Sequence, residues 1–389
     1  MGFRILTLNN ISAKGLERLP RERYEVASEI VNPDAILVRS ADMHTMQIPQ
    51  SVRAVGRAGA GINNIPVARL SQRGIPVFTA PGANANAVKE LVLAGLLLAA
   101  RHICESWQFV RGLSGDSEAL EAAVEQGKKR FVGHELPGRT LGVVGLGAIG
   151  VEVANAAHLL GMHVLGYDPQ ITVQRAWQLS SGVEQALSLD DLFARSDVVT
   201  VHVPLTDTTR SLVNAQRIRL MRDGASLLNF ARAAIVNEAD VLAALDSGKL
   251  GAYVCDFPTP QCKDHVGVIA LPHLGASTSE AEENSAMMVA DTLRDYLEHG
   301  NIRHSVNFPE AALPRVPATA RSAIANSNVP NTVGQISTCL AEAGLNIADL
   351  LNKSKGEVAY TLIDIDGQVP AGLIERIGAI AGVLCARAV

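Results

Sequence analysis

Short apolar runs rich in β-branched residues recur along most of the chain, and segments with helical spacing separate them. Apolar runs without alternating polar positions are typical of parallel strands that helices cover on both faces. They predict strands at residues 4–8, 35–39, 54–57, 76–78, 141–144, 163–167, 198–203, 226–229, 251–255 and 268–270. These are too many strands for one ordinary open sheet, so the pattern predicts an α/β protein with two doubly wound parallel-sheet domains.

The pattern changes after residue 305. Pro309, Pro314 and Pro317 lie close together there, and proline fixes φ and removes a hydrogen-bond donor, so residues 309–316 are predicted to be a linker. Beyond it the order strand, helix, strand, strand, helix, strand predicts a small βαββαβ domain over residues 317–389. We expect this domain to fold separately, and a chain that ends near residue 312 to keep any catalytic activity.

Composition narrows the classes of protein. Of 389 residues, 48% are apolar and 19% are charged, and the formal net charge of −5 argues against nucleic acid as a partner. Five scattered cysteines without metal-ligand spacing indicate a reducing, cytoplasmic compartment. No apolar run is long enough to span a membrane. We therefore expect no metal, membrane or nucleic-acid partner.

The segment Thr140–Gly150 carries the pattern G-x-G-x-x-G between an apolar strand and a helical pattern. Gly145 permits a tight turn, Gly147 lets the backbone approach a pyrophosphate, and Gly150 permits close packing of helix on strand. Asp168 follows the next strand, where an acid bonds ribose hydroxyls and repels a 2′-phosphate. The combination predicts NAD rather than NADP; the alternative is a chance glycine loop followed by a turn at Asp168.

This glycine pattern starts only near residue 140, with α/β pattern before it and one more helix after the last predicted parallel strand. We therefore predict a discontinuous first domain, residues 1–94 and 282–308, that binds substrate. A nucleotide domain, residues 95–281, is inserted into it, with the substrate expected between the two.

Two residues that follow strands suit hydride transfer from a 2-hydroxy acid, which needs a cation for the carboxylate and a base for the hydroxyl proton. Arg232 follows strand 226–229, and its planar guanidinium suits a carboxylate, although alone it is more readily explained as a surface arginine. His273 follows strand 268–270 with Pro272 before it, and is either the base or a structural histidine.

Segments 145–150, 229–232 and 272–278, together with Asp256, resemble the D-isomer-specific 2-hydroxyacid dehydrogenases. The resemblance extends over nearly the whole chain. It implies a flavodoxin-like substrate domain, a Rossmann NAD domain and NAD-dependent oxidation. It is strongest to members that oxidise 3-phospho-D-glycerate to 3-phosphohydroxypyruvate, the first committed step of L-serine biosynthesis.

The resemblance also implies roles for single residues. His273 would be the acid–base residue, Arg232 would grip the substrate carboxylate, and Asp256 would contact the nicotinamide side of the cofactor. The positions that would hold the substrate are Arg39, Ser40, Arg57 and Asn84. The implied cofactor contacts are Gly145, Gly147, Ala148, Ile149, Gly150, Asp168, Val203, Pro204, Ala231, Asp256 and Gly275.

One position departs from the family pattern. Members have a glutamate a few residues beyond the aspartate, where it bonds the catalytic histidine, but this chain continues from Asp256 as Phe257-Pro258-Thr259-Pro260-Gln261. Either Asp256 or Asp264 orients His273, or the histidine lacks a carboxylate partner.

Residues 317–389 resemble an ACT domain, a module that binds amino acids where two copies pair. The resemblance implies that Asn328 and Asn346 contact the effector L-serine. Asn326 and Asn331 replace residues common in the first loop of that domain, so a dimerisation module without a ligand is the alternative. We expect a homodimer or a homotetramer.

Two other functions fit part of this pattern. One is a dehydrogenase or reductase of an unphosphorylated acid such as glyoxylate or hydroxypyruvate, against which Arg39, Arg57 and the appended domain argue. The other is an NAD-sensing binding protein that has lost catalysis, as the absent glutamate suggests. Arg232 and His273 argue against that loss.

Overall fold

The computed structural model describes residues 2–316 and 319–389. It divides the chain into two compact units: Met1–Ala83 with Ser279–Val389, and Asn84–Thr278. Pro317, where the last domain was predicted to begin, lies outside the described residues. The first unit is discontinuous and the second continuous, and their bounds differ from the predicted 1–94 with 282–308, and 95–281.

A five-stranded parallel sheet opens the first unit. Its order β2-β1-β3-β4-β5 is that of flavodoxin-like folds. All four predicted strands of this part are confirmed, and the edge strand β2 was not predicted. The elements are β1 (Phe3–Leu8), α1 (Ala13–Leu16), β2 (Tyr24–Ala27), β3 (Ala35–Val38), β4 (Ala54–Arg57), α2 (Val67–Ser71) and β5 (Val77–Phe78).

The second unit is built on a seven-stranded parallel sheet of order β12-β11-β10-β9-β6-β7-β8. The strands are β6 (Thr140–Val144), β7 (His163–Tyr167), β8 (Val183–Gln185), β9 (Val198–Val201), β10 (Ala225–Asn229), β11 (Leu250–Cys255) and β12 (Val268–Ala270). Strand order reverses between β6 and β9, and ligands of such sheets bind at that switch point, outside the carboxyl ends of the strands. The second predicted doubly wound domain is confirmed.

Helices cover this sheet on both faces. They are α3 (Ala85–Ala100), α4 (Ile103–Arg111), α5 (Ser117–Gly127), α6 (Ala148–Leu159), α7 (Val173–Ala176), α8 (Leu189–Arg195), α9 (Ala215–Leu220) and α10 (Glu238–Asp246), with 3₁₀ turns at Lys128–Phe131 and Ala233–Ile235. The predicted boundary at residue 94 falls inside α3. The whole helix belongs to the second unit because Val92 and Leu96 are buried there, and Gly95 lies against Phe230 and Val254.

The first unit resumes with α11 (Ser279–His299), which crosses the five-stranded sheet. Val289 and Leu293 pack so closely on β4 that a Cβ on Gly56 would lie 2.8 Å from each of them. A four-stranded antiparallel sheet of order β14-β15-β13-β16 follows. Its elements are β13 (Thr319–Ser327), α12 (Thr332–Glu342), β14 (Ile347–Lys355), β15 (Val358–Asp366), α13 (Leu373–Gly378) and β16 (Val383–Ala388), so the predicted βαββαβ order is confirmed.

The C-terminal sheet packs against the first sheet, a contact that the predicted separate domain does not include, and whether it folds separately stays a prediction. Tyr360 and Leu362 belong to the same buried cluster as Ile5 of β1 and Leu293 of α11. The predicted linker is itself anchored, because Ala311 pairs with Ile302 and the side chains of both are buried. Apolar residues between Pro309 and Pro314 pack against the first sheet, so the first sheet and the C-terminal sheet share one hydrophobic core.

Side chains of the C-terminal sheet also donate hydrogen bonds to carbonyl groups at the end of α11 and directly after it, where few helical donors remain. Arg387 donates to the carbonyls of Tyr296 and Leu297, the latter at 3.2 Å. Arg321 donates to the carbonyl of His299 at 3.1 Å, and the Tyr360 hydroxyl donates to that of Gly300 at 2.7 Å. The end of α11 is therefore capped by another part of the fold.

Candidate active site

The carboxyl edge of the seven-stranded sheet collects most of the residues that the sequence singled out. Because all seven strands are parallel, the segments that follow them emerge at the same edge. Around the switch point these segments are 145–150 after β6, Asp168 after β7 and Val203-Pro204 after β9. Ala231-Arg232, Asp256 and His273–Gly275 follow the adjacent strands β10, β11 and β12.

The three glycines after β6 occupy positions with different requirements. Gly145 has φ +91°, and a Cβ there would lie 2.9 Å from the carbonyl of His202. A Cβ on Gly150 would lie 1.9 Å from the carbonyl oxygen of Gly145, so helix and turn touch backbone to backbone. Gly147 faces open space at the start of α6, just before Ala148 and Ile149. An anion can therefore reach the first N–H groups of α6.

Asp168 ties this glycine turn to the end of β7. Its Oδ2 accepts from the Leu146 N–H at 2.8 Å and its Oδ1 from the Gln170 N–H at 2.9 Å. Beside it lies a cavity of about 310 Å³ with a largely aliphatic lining that includes Leu146, Ile171 and Val183. An apolar cavity next to a carboxylate has the chemistry that a nucleoside needs, with apolar contact for the base and an acceptor for the ribose hydroxyls.

His202, at the end of β9, was not identified from the sequence. Its Nε2 lies 2.9 Å from the Thr200 hydroxyl, and removal from water lowers its pKa to about 4. The imidazole is therefore neutral near pH 7. Its backbone N–H bonds the carbonyl of Val144 at 2.7 Å, which fixes β9 beside the glycine turn. In the sequence, the only sign of this role is that a histidine directly follows the apolar strand β9.

Asn229, fully buried at the end of β10, shapes the turn that carries Arg232. Its Oδ1 accepts from the Ala231 N–H at 3.1 Å, and its Nδ2 donates to the carbonyl of Arg232 at 3.0 Å. The Arg232 side chain is exposed, and its Nη1 donates to the carbonyl of Ala231 at 2.6 Å. Within the described residues no carboxylate pairs with this guanidinium, so it can accept an anionic ligand.

Asp256 holds the loop that carries His273. It is 1% exposed, and its two carboxylate oxygens accept from the N–H groups of Leu274 at 2.7 Å and Gly275 at 3.0 Å. His273 has φ +55°, a conformation that non-glycine residues seldom adopt without such fixation. Asp256 therefore holds the backbone of the two residues that directly follow His273, and its buried carboxylate positions this loop.

The imidazole of His273 has no carboxylate partner among the residues that the structure describes. Asp256 uses its oxygens on the loop, and Asp264 is exposed and pairs with Lys263. Neither acid bonds the imidazole in the part of the chain that the structure describes, and which group orients His273 stays a prediction. Instead, the ring of Phe257 packs edge-on against the imidazole, with 5.3 Å between centroids.

The first unit brings Arg39, Ser40 and Arg57 to the carboxyl edge of its own sheet, where Val38 and Arg57 are register partners. Arg57 Nε donates to Asn64 Oδ1 at 3.0 Å, and Asn64 Nδ2 donates to the carbonyl of Ala41 at 2.8 Å. Asn64 thus links the two loops that bear the arginines, a role with no signal in the sequence. A Cβ on Gly59 would lie 2.7 Å from Arg57 Nη1, so the guanidinium lies across a glycine turn.

The remaining predicted residues lie elsewhere. Asn84 immediately precedes α3 and belongs to the second unit. In the C-terminal sheet Asn328 donates to the carbonyl of Gly356 at 3.0 Å, near the start of β15, and Asn346 donates to Asp366 at 2.7 Å, at its end. The two therefore lie at opposite ends of one strand. Among the residues described, no helix could cross a bilayer and no cluster could hold a metal ion.

Fold and site define a dehydrogenase of the doubly wound, NAD-binding class. Residues 93–275 match the NAD binding domain of the D-isomer specific 2-hydroxyacid dehydrogenases. A D-3-phosphoglycerate dehydrogenase of Haemophilus influenzae is 33% identical over 348 residues, which cover 86% of this chain and 80% of that protein. The chain belongs to this family of D-2-hydroxyacid dehydrogenases.

Two further comparisons show how far the similarity of this chain to known proteins extends. A D-3-phosphoglycerate dehydrogenase of Archaeoglobus fulgidus is 37% identical over 300 residues, 74% of this chain and 54% of that protein. The chain thus spans about half the length of this and other curated relatives. The D-mandelate dehydrogenase of Rhodotorula graminis superposes with a TM-score of 0.67 at 23% identity, covering 81% of this chain and 100% of that one, which shows a shared fold.

Proposed function

We propose that the chain oxidises 3-phospho-D-glycerate to 3-phosphohydroxypyruvate with NAD, the first committed step of L-serine biosynthesis. The observation that carries the proposal is the presence of Arg232, Asp256 and His273 after three adjacent parallel strands, β10, β11 and β12. They supply a carboxylate clamp, a loop anchor and a proton acceptor at one edge. Relatives that match this chain over most of its length bear the name of that activity.

Bound NAD would supply the hydride acceptor for C2 of the substrate. The exposed glycine turn suits its pyrophosphate, and Asp168 beside the aliphatic cavity suits its adenosine ribose. Ala148, Ile149, Val203, Pro204, Ala231 and Gly275 line the same edge and are proposed to contact the cofactor.

The chain's own residues perform the remaining steps. Arg232 binds the substrate carboxylate through two parallel N–H groups. His273 takes the proton of the C2 hydroxyl as the carbonyl forms, with Phe257 rather than an acid fixing its ring. Arg39, Ser40 and Arg57 bind the phosphate, and Asn84 completes the substrate contacts.

Initial rates test this proposal. Wild-type protein is assayed with NAD and either 3-phospho-D-glycerate or D-glycerate, which differ only in the phosphate. We expect a much higher kcat/KM for the phosphorylated acid. Faster oxidation of D-glycerate, or reduction of glyoxylate, would identify a dehydrogenase of unphosphorylated acids, and NAD binding without turnover of any acid would identify a sensor.

We further propose that the chain forms homodimers or homotetramers and that L-serine binds where two C-terminal sheets pair. Asn328 and Asn346 lie at opposite ends of β15, about 25 Å apart along a strand of this length, so one chain alone does not bring them together. A second copy can. Asn326 is 2% exposed and its Oδ1 lacks a hydrogen-bond partner, which favours a ligand near this loop. Calorimetry with millimolar L-serine, and mass determination in solution, test these two points.

A further inference from the structure

Arg39 forms an ion pair within its own chain. Its Nη2 contacts Oε1 of Glu282 in the first turn of α11, and the two side chains are 39% and 41% exposed. An acid in the first turn of a helix is common, because it complements the helix dipole. The dipole does not explain why this acid extends to the arginine that is proposed to bind the substrate's phosphate.

The neighbouring acid on the same turn has a different partner. Glu283 pairs with Lys14 of the α1 region at 2.7 Å, so two adjacent carboxylates serve two separate cations. The backbone of the Arg39 loop is fixed independently, since Asn64 bonds the carbonyl of Ala41. Glu282 therefore acts on the charge and direction of the Arg39 guanidinium and is not needed to build its loop.

We propose that Glu282 is an internal competitor of the substrate's phosphate for Arg39 and thereby sets how tightly phosphorylated ligands bind. The inference rests on the proposed function, in which Arg39 contacts the phosphate. A phosphate must displace the Glu282 carboxylate and then lie close to its negative charge. A phosphate monoester carries about −1.5 to −2 charges near neutral pH, so this repulsion acts on it more strongly than on any monoanion.

Two effects of Glu282 oppose each other, and their magnitudes decide between them. Holding one exposed arginine in a useful direction is worth little, since exposed ion pairs contribute at most about fivefold in an equilibrium constant. Repulsion between a carboxylate and a nearly doubly charged phosphate at contact distance is larger. The charge effect prevails, and Glu282 weakens the binding of both phosphorylated substrate and phosphorylated product.

The test compares Glu282→Gln with Glu283→Gln, which removes the same charge from the same helical turn. We expect Glu282→Gln to lower KM for 3-phospho-D-glycerate by about three- to tenfold, without raising kcat. Inorganic phosphate should inhibit this variant at correspondingly lower concentration. Kinetics with D-glycerate should not change, and Glu283→Gln should match the wild type in all assays.

Phosphate binding by calorimetry, which needs no turnover, separates this inference from the proposed function. Tighter phosphate binding by Glu282→Gln supports the inference even if another acid proves to be the substrate. A raised KM for the phosphorylated acid in Glu282→Gln would show that orientation matters more than charge. Equal phosphate affinities of Glu282→Gln and Glu283→Gln would likewise overturn it.

Discussion

Removal of the Arg321 side chain should unfold more than the sheet that contains it. Arg321 and Asp364 are both 0% exposed and form an ion pair with Nε–Oδ1 at 2.6 Å and Nη2–Oδ2 at 2.7 Å. The guanidinium also donates to the carbonyls of His299, Leu313 and Pro314 at 2.9–3.1 Å. Arg321→Met therefore leaves a buried carboxylate and three carbonyl groups without their partner.

The magnitude follows from burial. Loss of one partner from a buried ion pair costs about 3–5 kcal/mol, whereas replacement of both by apolar residues is often nearly neutral. We expect Arg321→Met to lower the free energy of unfolding by at least that amount, and Arg321→Met/Asp364→Leu to recover only the part due to the unpaired carboxylate, because the three carbonyl groups stay without their donor. Arg376→Met is the matched control, because its pair with Glu342 is 54% and 62% exposed and should be worth less than about 1 kcal/mol.

Urea unfolding of the full chain, followed by hydrogen exchange of its peptides, checks both size and extent. Because the first sheet and the C-terminal sheet share a core, peptides from β1, β3, β4 and α11 should lose protection together with β13 and β15. Peptides from β6 and β9 should keep theirs. An unchanged urea midpoint, or a loss confined to β13–β16, would refute the shared core.

The remaining predictions concern the site and the chain end. Arg232→Lys should lose most of kcat/KM, since a point charge cannot form two parallel bonds to a carboxylate; unchanged kinetics would exclude Arg232. His273→Ala should reduce turnover by about 10²–10⁴-fold while NAD still binds by calorimetry, and full activity would place the base elsewhere. Asp168→Ala should weaken NAD binding and narrow its advantage over NADP, as paired KM measurements will show. Burial lowers the pKa of His202 from 6.5, its value in the unfolded chain, to about 4 in the folded chain. The unfolded chain therefore binds more protons between these two values, and the free energy of unfolding falls as the pH drops through this range. The urea midpoints at pH 7 and pH 5 should differ less in His202→Gln than in the wild type. The sequence predicts that a chain ending near residue 312 stays active, whereas the structure predicts that it loses stability and hence activity, because the end of α11 loses the donors that cap it; urea midpoints and initial rates of this truncated chain decide between the two.

Sequence patterns predicted the parts of the fold that are buried evenly. Strands β3, β9 and β10 are buried along their whole length and gave continuous apolar runs. Strands β2 and β8 expose residues that break the apolar run, and they were missed for that reason. The edge strands β5 and β12 keep short apolar runs and were predicted, so exposure rather than edge position set the limit.

Polar residues of the site were likewise predictable only where the local sequence marks them. Arg232 and His273 were predictable because each follows an apolar strand that ends at a ligand-facing edge. Glu282 has the appearance of an ordinary acid at the start of a helix, and its partner lies 243 positions away. Arg321 and Asp364 have the appearance of solvent-facing residues of a strand, although both are fully buried. Pairings between distant charges leave no local pattern, so only the structure reveals them.

The shared core has a consequence for the order in which the chain can fold during synthesis. The second unit, residues 84–278, is continuous and can fold as soon as it leaves the ribosome. The sheet of residues 3–78 cannot bury its face until Leu293, Phe308 and Tyr360 have been made. At about 5–20 residues per second, that wait lasts roughly 15–60 s. The first strands to emerge are thus completed last, and their apolar face stays uncovered by its partners during this interval.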